Sequence, residues 1–418
     1  MSQTAMSYNP YENPAAASVQ ITCDADKAFQ AWIAQAGGSL VISTYQAGKV
    51  AVVGWNGSQV TLLMRHFDKP LGMDISGNRM ALATRNDIWI MSNAPALAGA
   101  YMPEQPGSYD ALYLPRVTYH TGDLNTHDLA FAGDDLILVN TRFSCLSRLS
   151  RDFNFEPMWK PSFVTDLVPE DRCHLNGLAL VEGRAKYVTA LGTTNVAGAW
   201  RERKATGGVV MDVESNEIVL EGLAMPHSPR WHDGRLWLLN SGAGELLRFD
   251  PENGRTEIIC GLPGYLRGLC FVGPYALVGL CKIREKHIFG GLPIQERCKK
   301  LLSGVAVVDL RTGVEVGMFE FTAGCEELFE VRFLPQARRP MILNLDRPAA
   351  RQAVAIPECS FWLRPESERR DTPVAMNTVT ENVSGGQMNI QNLSGSLSGS
   401  PEGVAQHPMG NAIPDTGN

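Results

Sequence analysis

NTHDLAFAGDDLILVN (125–140), CHLNGLALVEGRAKYVTALG (173–192) and PHSPRWHDGRLWLLNSG (226–242) share one order: a polar approach carrying a histidine, a short apolar run, a polar turn and a second apolar run. Short apolar runs between Gly- and Asp-bearing turns read as strands rather than helices. The order recurs in KPLGMDISGNRMALATRNDIWIMS (69–92), RGLCFVGPYALVGLCKI (267–283) and VRFLPQARRPMILNLDR (331–347). Unit starts near Leu71, His127, His174, His227, Arg267 and Phe329 are roughly 40 to 60 residues apart, a period that suits four-stranded blades. Asp212, Asp250 and Asp309 each end a strand before a turn, where a carboxylate accepts backbone N–H bonds. The expected fold is all-β, a six-bladed β-propeller between about residues 40 and 345. SLVISTYQAGKVAVVGWNG (39–57) supplies two strands that complete the last blade from the N-terminal side and leave no open sheet edge.

The remaining segments complete the domain reading. Residues 1–20 form a polar, proline-containing arm expected to be flexible. DADKAFQAWIAQAGG (24–38) places Phe29, Trp32 and Ile33 on one helical face and stops at Gly37 and Gly38, so a short helix is expected against the ring. The propeller domain is set at 21–365. The tail 366–418 is rich in Ser, Gly, Asn and Thr, buries too little to offset its ordering entropy, and is expected to be disordered. Two insertions interrupt the repeat. Residues 95–125 read as a long loop over one ring face, and 284–304 as a segment with a short helix around 294–301. Long loops on a rigid scaffold are where ligand contacts concentrate.

Composition narrows the function classes. The chain has 418 residues, a net charge of -7 and no basic tract, so a nucleic-acid partner is not expected. Its nine cysteines are scattered and odd in number, which gives neither a metal-binding CxxC pair nor a secreted disulfide framework. No basic leader or membrane-length apolar run is seen. A cytoplasmic protein with no membrane partner is the expectation. The GxSxG elbow, the Walker glycine run and the HExxH helix are all missing.

The histidines carry the functional reading. In a closed ring, residues just before the innermost strands converge at one channel mouth, so His127, His174 and His227 are expected to face one another there. Three neutral imidazoles can supply three nitrogen ligands to a divalent metal, with zinc preferred over iron, and leave a position for water or substrate. Counted back from Leu129, Leu178 and Arg230, however, the three sit at different offsets, so the same residues also fit a metal-free polar site or separate structural roles. Asp128, Asn176, Arg267 and Glu330 are the expected catalytic set. A carboxylate shuttles a proton or orients an imidazole, and Arg267 holds an anionic substrate group. The reaction expected is a metal-dependent hydrolysis or elimination on a small, anionic substrate. The alternative is a non-catalytic platform for a peptide or protein partner, using Tyr101, Tyr109, Tyr113 and Tyr119.

STYQAGKV (43–50), NTHDLAF (125–131), CHLNGLA (173–179) and the 226–242 motif resemble an uncharacterised bacterial family, sometimes joined to tetratricopeptide repeats, over about residues 38 to 350. No such helical repeat is visible in this chain. More distantly, the ring is similar to strictosidine-synthase-like proteins, six-bladed metal-dependent lactonases and peptide-amidating lyases. The lyase resemblance implies a channel metal held by His127, His174 and His227. The lactonase resemblance implies carboxylate and Asn ligands, for which only Asn176 and scattered acids stand here.

Overall fold

The computed structural model describes residues 20–283 and 290–364, with 375–376 as a two-residue strand. The arm before Gln20 and most of the tail expected after 365 lie outside the described residues. Chain order begins with β1 (Thr22–Ala25), α1 (Lys27–Ala36), β2 (Gly38–Thr44), β3 (Lys49–Trp55) and β4 (Val60–His66). Blade 1 follows as β5 (Met73–Ser76), β6 (Arg79–Ala83), β7 (Asp87–Asn93) and β8 (Ala111–His120), with the one-turn helix α2 (Pro95–Ala98) before β8. Blade 2 is β9 (Thr126–Ala132), β10 (Asp135–Asn140), β11 (Cys145–Arg148) and β12 (Glu156–Trp159). Blade 3 is β13 (Leu175–Val181), β14 (Arg184–Ala190), β15 (Gly208–Asp212) and β16 (Ile218–Leu223). Blade 4 is β17 (Pro226–His232), β18 (Arg235–Asn240), β19 (Glu245–Asp250) and β20 (Arg255–Gly261). Blade 5 is β21 (Tyr265–Val272), β22 (Tyr275–Cys281), β23 (Gly304–Asp309) and β24 (Val314–Ala323), with the short helix α3 (Ile294–Arg297) between β22 and β23. The last inner strand is β25 (Glu330–Pro335).

Ring closure is visible in the contacts. The inner strands touch in the cycle β5, β9, β13, β17, β21, β25 and back to β5, so the described residues form six blades. The closing blade takes β25 from the C-terminal side and β2, β3 and β4 from the N-terminal side. Ser43 pairs with Glu330 and Gly38 with Pro335 across that seam.

Three expectations need correction. Three N-terminal strands complete the last blade, not two, because β4 pairs along the whole of β3. The apolar run after β25 does not return to its own blade, because β2 already occupies that edge. It becomes β26 (Pro340–Ile342) and adds in parallel to Ala111–Tyr113 at the outer edge of β8. The first insertion contains a strand: β8 is the fourth strand that blade 1 needs, and it pairs with β7 from Tyr113 to His120. Of its tyrosines, Tyr113 is buried, and Tyr101 packs on both Tyr109 and Trp362. Among the described residues of the second insertion, the helix is Ile294–Arg297. Arg297 anchors it by donating to the carbonyls of Gly244 and Leu262. Within the expected tail, Ala375 and Met376 pair with Ser360 and Cys359.

The N-terminal helix behaves as its pattern requires. Asp26 caps it by accepting from Phe29 N at 2.6 Å, its other carboxylate oxygen accepts from Met318 N on β24 at 3.0 Å, and Gly37 ends it at φ 71°. Phe29 and Ile33 are fully buried, with Phe29 5.7 Å from Phe319 between ring centroids. The helix therefore straps blade 5 to the closing blade. Asp26→Ala is expected to cost about 1 kcal/mol of stability, measured by urea unfolding, because it removes a cap and a cross-strand acceptor together.

Candidate functional site

Four of the six inner strands begin with a shared backbone device. Lys69, Asn125, His174 and Met225 all hold positive φ, at 51°, 52°, 52° and 51°. Two residues further on, these approaches present Leu71, His127, Asn176 and His227. The offset problem is thereby resolved: His127 and His227 are equivalent, Asn176 takes that place in blade 3, and His174 stands two residues earlier.

The equivalence extends to hydrogen bonding. His127 Nδ1 lies 2.9 Å from Asn125 O and 2.8 Å from Thr141 Oγ1. Thr141 spends its own hydrogen on Leu175 O at 2.6 Å, so both neighbours of Nδ1 are acceptors and the ring proton belongs on Nδ1. His227 repeats this with Met225 O at 2.8 Å and Ser241 Oγ at 3.1 Å. Each ring therefore offers its Nε2 lone pair. Arg267 Nη2 donates to that of His227 at 3.3 Å. His174 donates Nδ1–H to Asp171, at 2.9 and 3.0 Å from the two oxygens.

The groups converge. The rings of His127 and His174 are 4.6 Å apart, His127 lies 5.1 Å from Phe329, and the Arg267 guanidinium stands over Phe329 at 4.4 Å. Burial, aided by the charges of His174 and Arg267, holds His127 well below the usual histidine range. Burial and Arg267 do the same to His227. Both rings are neutral at pH 7. Two donors nearby lack an acceptor among the described residues: Arg267 Nε and Asn176 Nδ2 are buried without a hydrogen-bond partner there. Unpaired buried donors are costly, and a ligand oxygen would relieve them.

Asp128 and Glu330 belong to a different cluster, one step deeper in the channel. Arg230 Nη1 meets Asp128 Oδ2 and Arg230 Nη2 meets Glu330 Oε2, both at 2.8 Å. Arg332 pairs with Glu330 and, at 3.3 Å, with Asp74. Backbone groups complete the girdle: Leu178 N donates to Asp128 Oδ2 at 3.1 Å, and Arg230 Nε donates to Leu269 O at 3.2 Å. All six blades contribute a side chain or a peptide group. Burial alone would lower the Arg230 guanidinium, but Asp128 and Glu330 outweigh it and raise it. These carboxylates are bound to arginines and to backbone N–H groups, so a proton-shuttling role is not what their partners favour.

Residues 27–343, from α1 through all six blades, match the family described as Domain of unknown function (DUF4915). The chain belongs to this family. No curated protein matches. Among solved structures, a chain of the "Crystal structure of Nidogen/Laminin Complex" is similar at 12% identity and a TM-score of 0.49, covering 72% of this chain and 99% of that one.

For this member of the family, the walls of the mouth come from segments the repeat pattern passed over. Residues 192–207 of blade 3 bring Trp200 to 4.3 Å from His174, and Trp200 Nε1 donates to Asp171 at 3.2 Å. Asp171 and Trp200 were missed because they sit between blade units, where no period marks them; the long gap between Ala190 and Gly208 was the available signal. Beside Arg267, a cleft lined by Tyr45, Tyr265, Lys282 and Glu327 has about 10 Å³ of free space, room for one water-sized group. A roomier depression of about 710 Å³ between Thr118–His120 and Ser150–Phe155 lies on the outer rim, away from the convergent imidazoles. His120 points there and pairs with Asp87, while His232 stacks on Phe271; neither joins the site. Cys173 is no nucleophile for His174, since burial pushes its thiol up to about 12.

As placed, the three histidines do not all offer a free Nε2 to one metal. Arg267 stands at the Nε2 that His227 would offer, and among the described residues no three His, Cys, Asp or Glu side chains are disposed to hold an ion.

Proposed function

We propose that the channel mouth bearing His127, His174, His227, Asn176 and Arg267 binds a small anionic molecule and carries out imidazole acid–base chemistry on it, a hydrolysis or an elimination. The observation that carries this reading is the matched presentation of His127 and His227: neutral rings with the proton pinned on Nδ1, His127 Nε2 left as base and His227 Nε2 accepting from Arg267. A neutral buried imidazole is a competent proton acceptor at pH 7. Arg267 Nε and Asn176 Nδ2 supply donors for a carboxylate or a developing oxyanion. Asp171 orients His174 and Trp200 closes the wall beside it. Asp128 and Glu330 act indirectly, by fixing the inner strands that carry His127 and Phe329. Nine unpaired cysteines suit a reducing compartment, and a cytoplasmic location is part of the reading. Among the described residues no helix is long and apolar enough to cross a membrane.

A metal-assisted version is the second reading. It is favoured by one feature: all three histidines direct Nδ1 at an oxygen, the arrangement that orients imidazole ligands in metal sites. It requires Arg267 to leave His227, and elemental analysis of native protein tests it directly.

The proposed site is tested by titrating the protein with a panel of small mono- and dicarboxylates and phosphate monoesters, read by calorimetry. At least one class is expected to bind saturably, and Arg267→Met to weaken it by at least about tenfold. Binding that is indifferent to Arg267 contradicts the assignment.

A further inference from the structure

On the far side of the girdle, the channel opens into a second cavity of about 330 Å³. Its walls are apolar and come from successive blades, chiefly Leu129, Leu180, Trp231, Leu269 and Phe271. Its floor is polar, formed by Asp74, Arg230 and Arg332.

The floor is not fully satisfied. Arg230 uses every nitrogen: Nε on Leu269 O, Nη1 on Asp128 and Leu178 O, and Nη2 on Glu330. Arg332 spends Nε on Asp74 and Nη1 on Glu330. Its Nη2 makes no hydrogen bond to a described residue, since its ion-pair partner Asp128 Oδ1 stands 3.8 Å away. That side chain is only 10% exposed, and the exposure faces this cavity. Beside it, Asp74 is 21% exposed, with spare lone pairs after accepting from Arg332 Nε and Phe131 N.

We infer that this lower mouth is a binding site for a small uncharged molecule with an apolar or aromatic body and one alcohol or amide group. The body displaces water from the leucine and aromatic walls. The oxygen accepts from Arg332 Nη2 while the O–H or N–H donates to Asp74. A carboxylate in the same place meets Asp74, with Asp128 and Glu330 behind it, and loses its hydration without gaining an unpaired cation. The girdle lies between this cavity and the histidines, so the inference stands apart from the function proposed for the other mouth.

The test uses the full chain with 4-phenylbutan-1-ol as probe and 4-phenylbutyrate as its charged counterpart, followed by saturation-transfer NMR titration. Two filling variants, Ala130→Phe in blade 2 and Cys270→Phe in blade 5, reach the cavity from different sides. Each is first checked for a native circular dichroism spectrum. The alcohol is expected to bind saturably, the carboxylate at least about tenfold more weakly, and both filled variants at least about tenfold more weakly than the wild type. Equal or tighter binding of phenylbutyrate, undiminished binding by a folded filling variant, or no saturable binding of the alcohol overturns the inference.

Discussion

Replacing Arg230 by alanine is expected to lower the unfolding free energy by about 3–5 kcal/mol, the cost of leaving buried carboxylates without their cation. Arg230 is 14% exposed at its side chain, and its partners Asp128 and Glu330 are 3% and 2% exposed, so solvent cannot take its place. Arg332 still faces Glu330, but Asp128 is left with an arginine 3.8 Å away and two backbone donors. Arg230→Met combined with Asp128→Asn is expected to recover part of the loss, because it removes the orphaned charge as well as the guanidinium. Urea unfolding of wild type, single and double variants measures this. A single-variant loss below about 1 kcal/mol, the range of an exposed ion pair, would mean that the girdle does not hold the blades together.

Stability is also expected to fall steeply as the solution is acidified below pH 6.5. His127 and His227 have folded pKa values held well below the ordinary 6.5 by burial, with further depression from neighbouring positive charge. Between those folded values and 6.5 the unfolded chain binds more protons than the native one, so stability rises with pH across that window and is lost on descending it. Two such groups give a slope of about 2.7 kcal/mol per pH unit. Glu330 works in the opposite sense, because burial raises its carboxyl despite Arg332 and Arg230 beside it. The informative quantity is therefore the difference between wild type and a His127→Gln/His227→Gln variant, measured by urea unfolding at several pH values from 7.5 downward. The variant is expected to lose most of the slope between pH 6.5 and 5.5. Matching slopes would show that the two rings are not buried as neutral groups.

The sequence made the inner strands legible because each blade repeats one polar approach and one apolar run, and those repeats set the ring and its order. The outer strands were harder to place. β8 lies in a stretch rich in Tyr, Pro and Gly, whose composition resembles a loop, and only its pairing with β7 makes it a strand. β26 reads as the partner of β25 by proximity, yet the N-terminal strand β2 takes that edge first. At the site, residue types were visible but depth was not. His127 and Asp128 are adjacent in sequence, yet one faces the mouth and the other binds Arg230 in the girdle, since successive strand residues point to opposite sides. The equivalence of Asn176 with His127 and His227 depends on positive-φ residues two positions earlier, a backbone property that Asn125 and His174 suit by type but Met225 does not advertise. Arg230 and Arg332 became interpretable only when their carboxylate partners from other blades were brought within reach.

The account rests on two imidazoles kept neutral, with the proton on Nδ1 and the Nε2 lone pair turned toward the mouth. Nitrogen-15 NMR of histidine-labelled protein at pH 7, with assignments from His127→Gln and His227→Gln, reads this tautomer directly. The predicted result is a pair of neutral rings protonated at Nδ1 and unprotonated at Nε2. Rings protonated at Nε2, or charged at both nitrogens, would contradict the account.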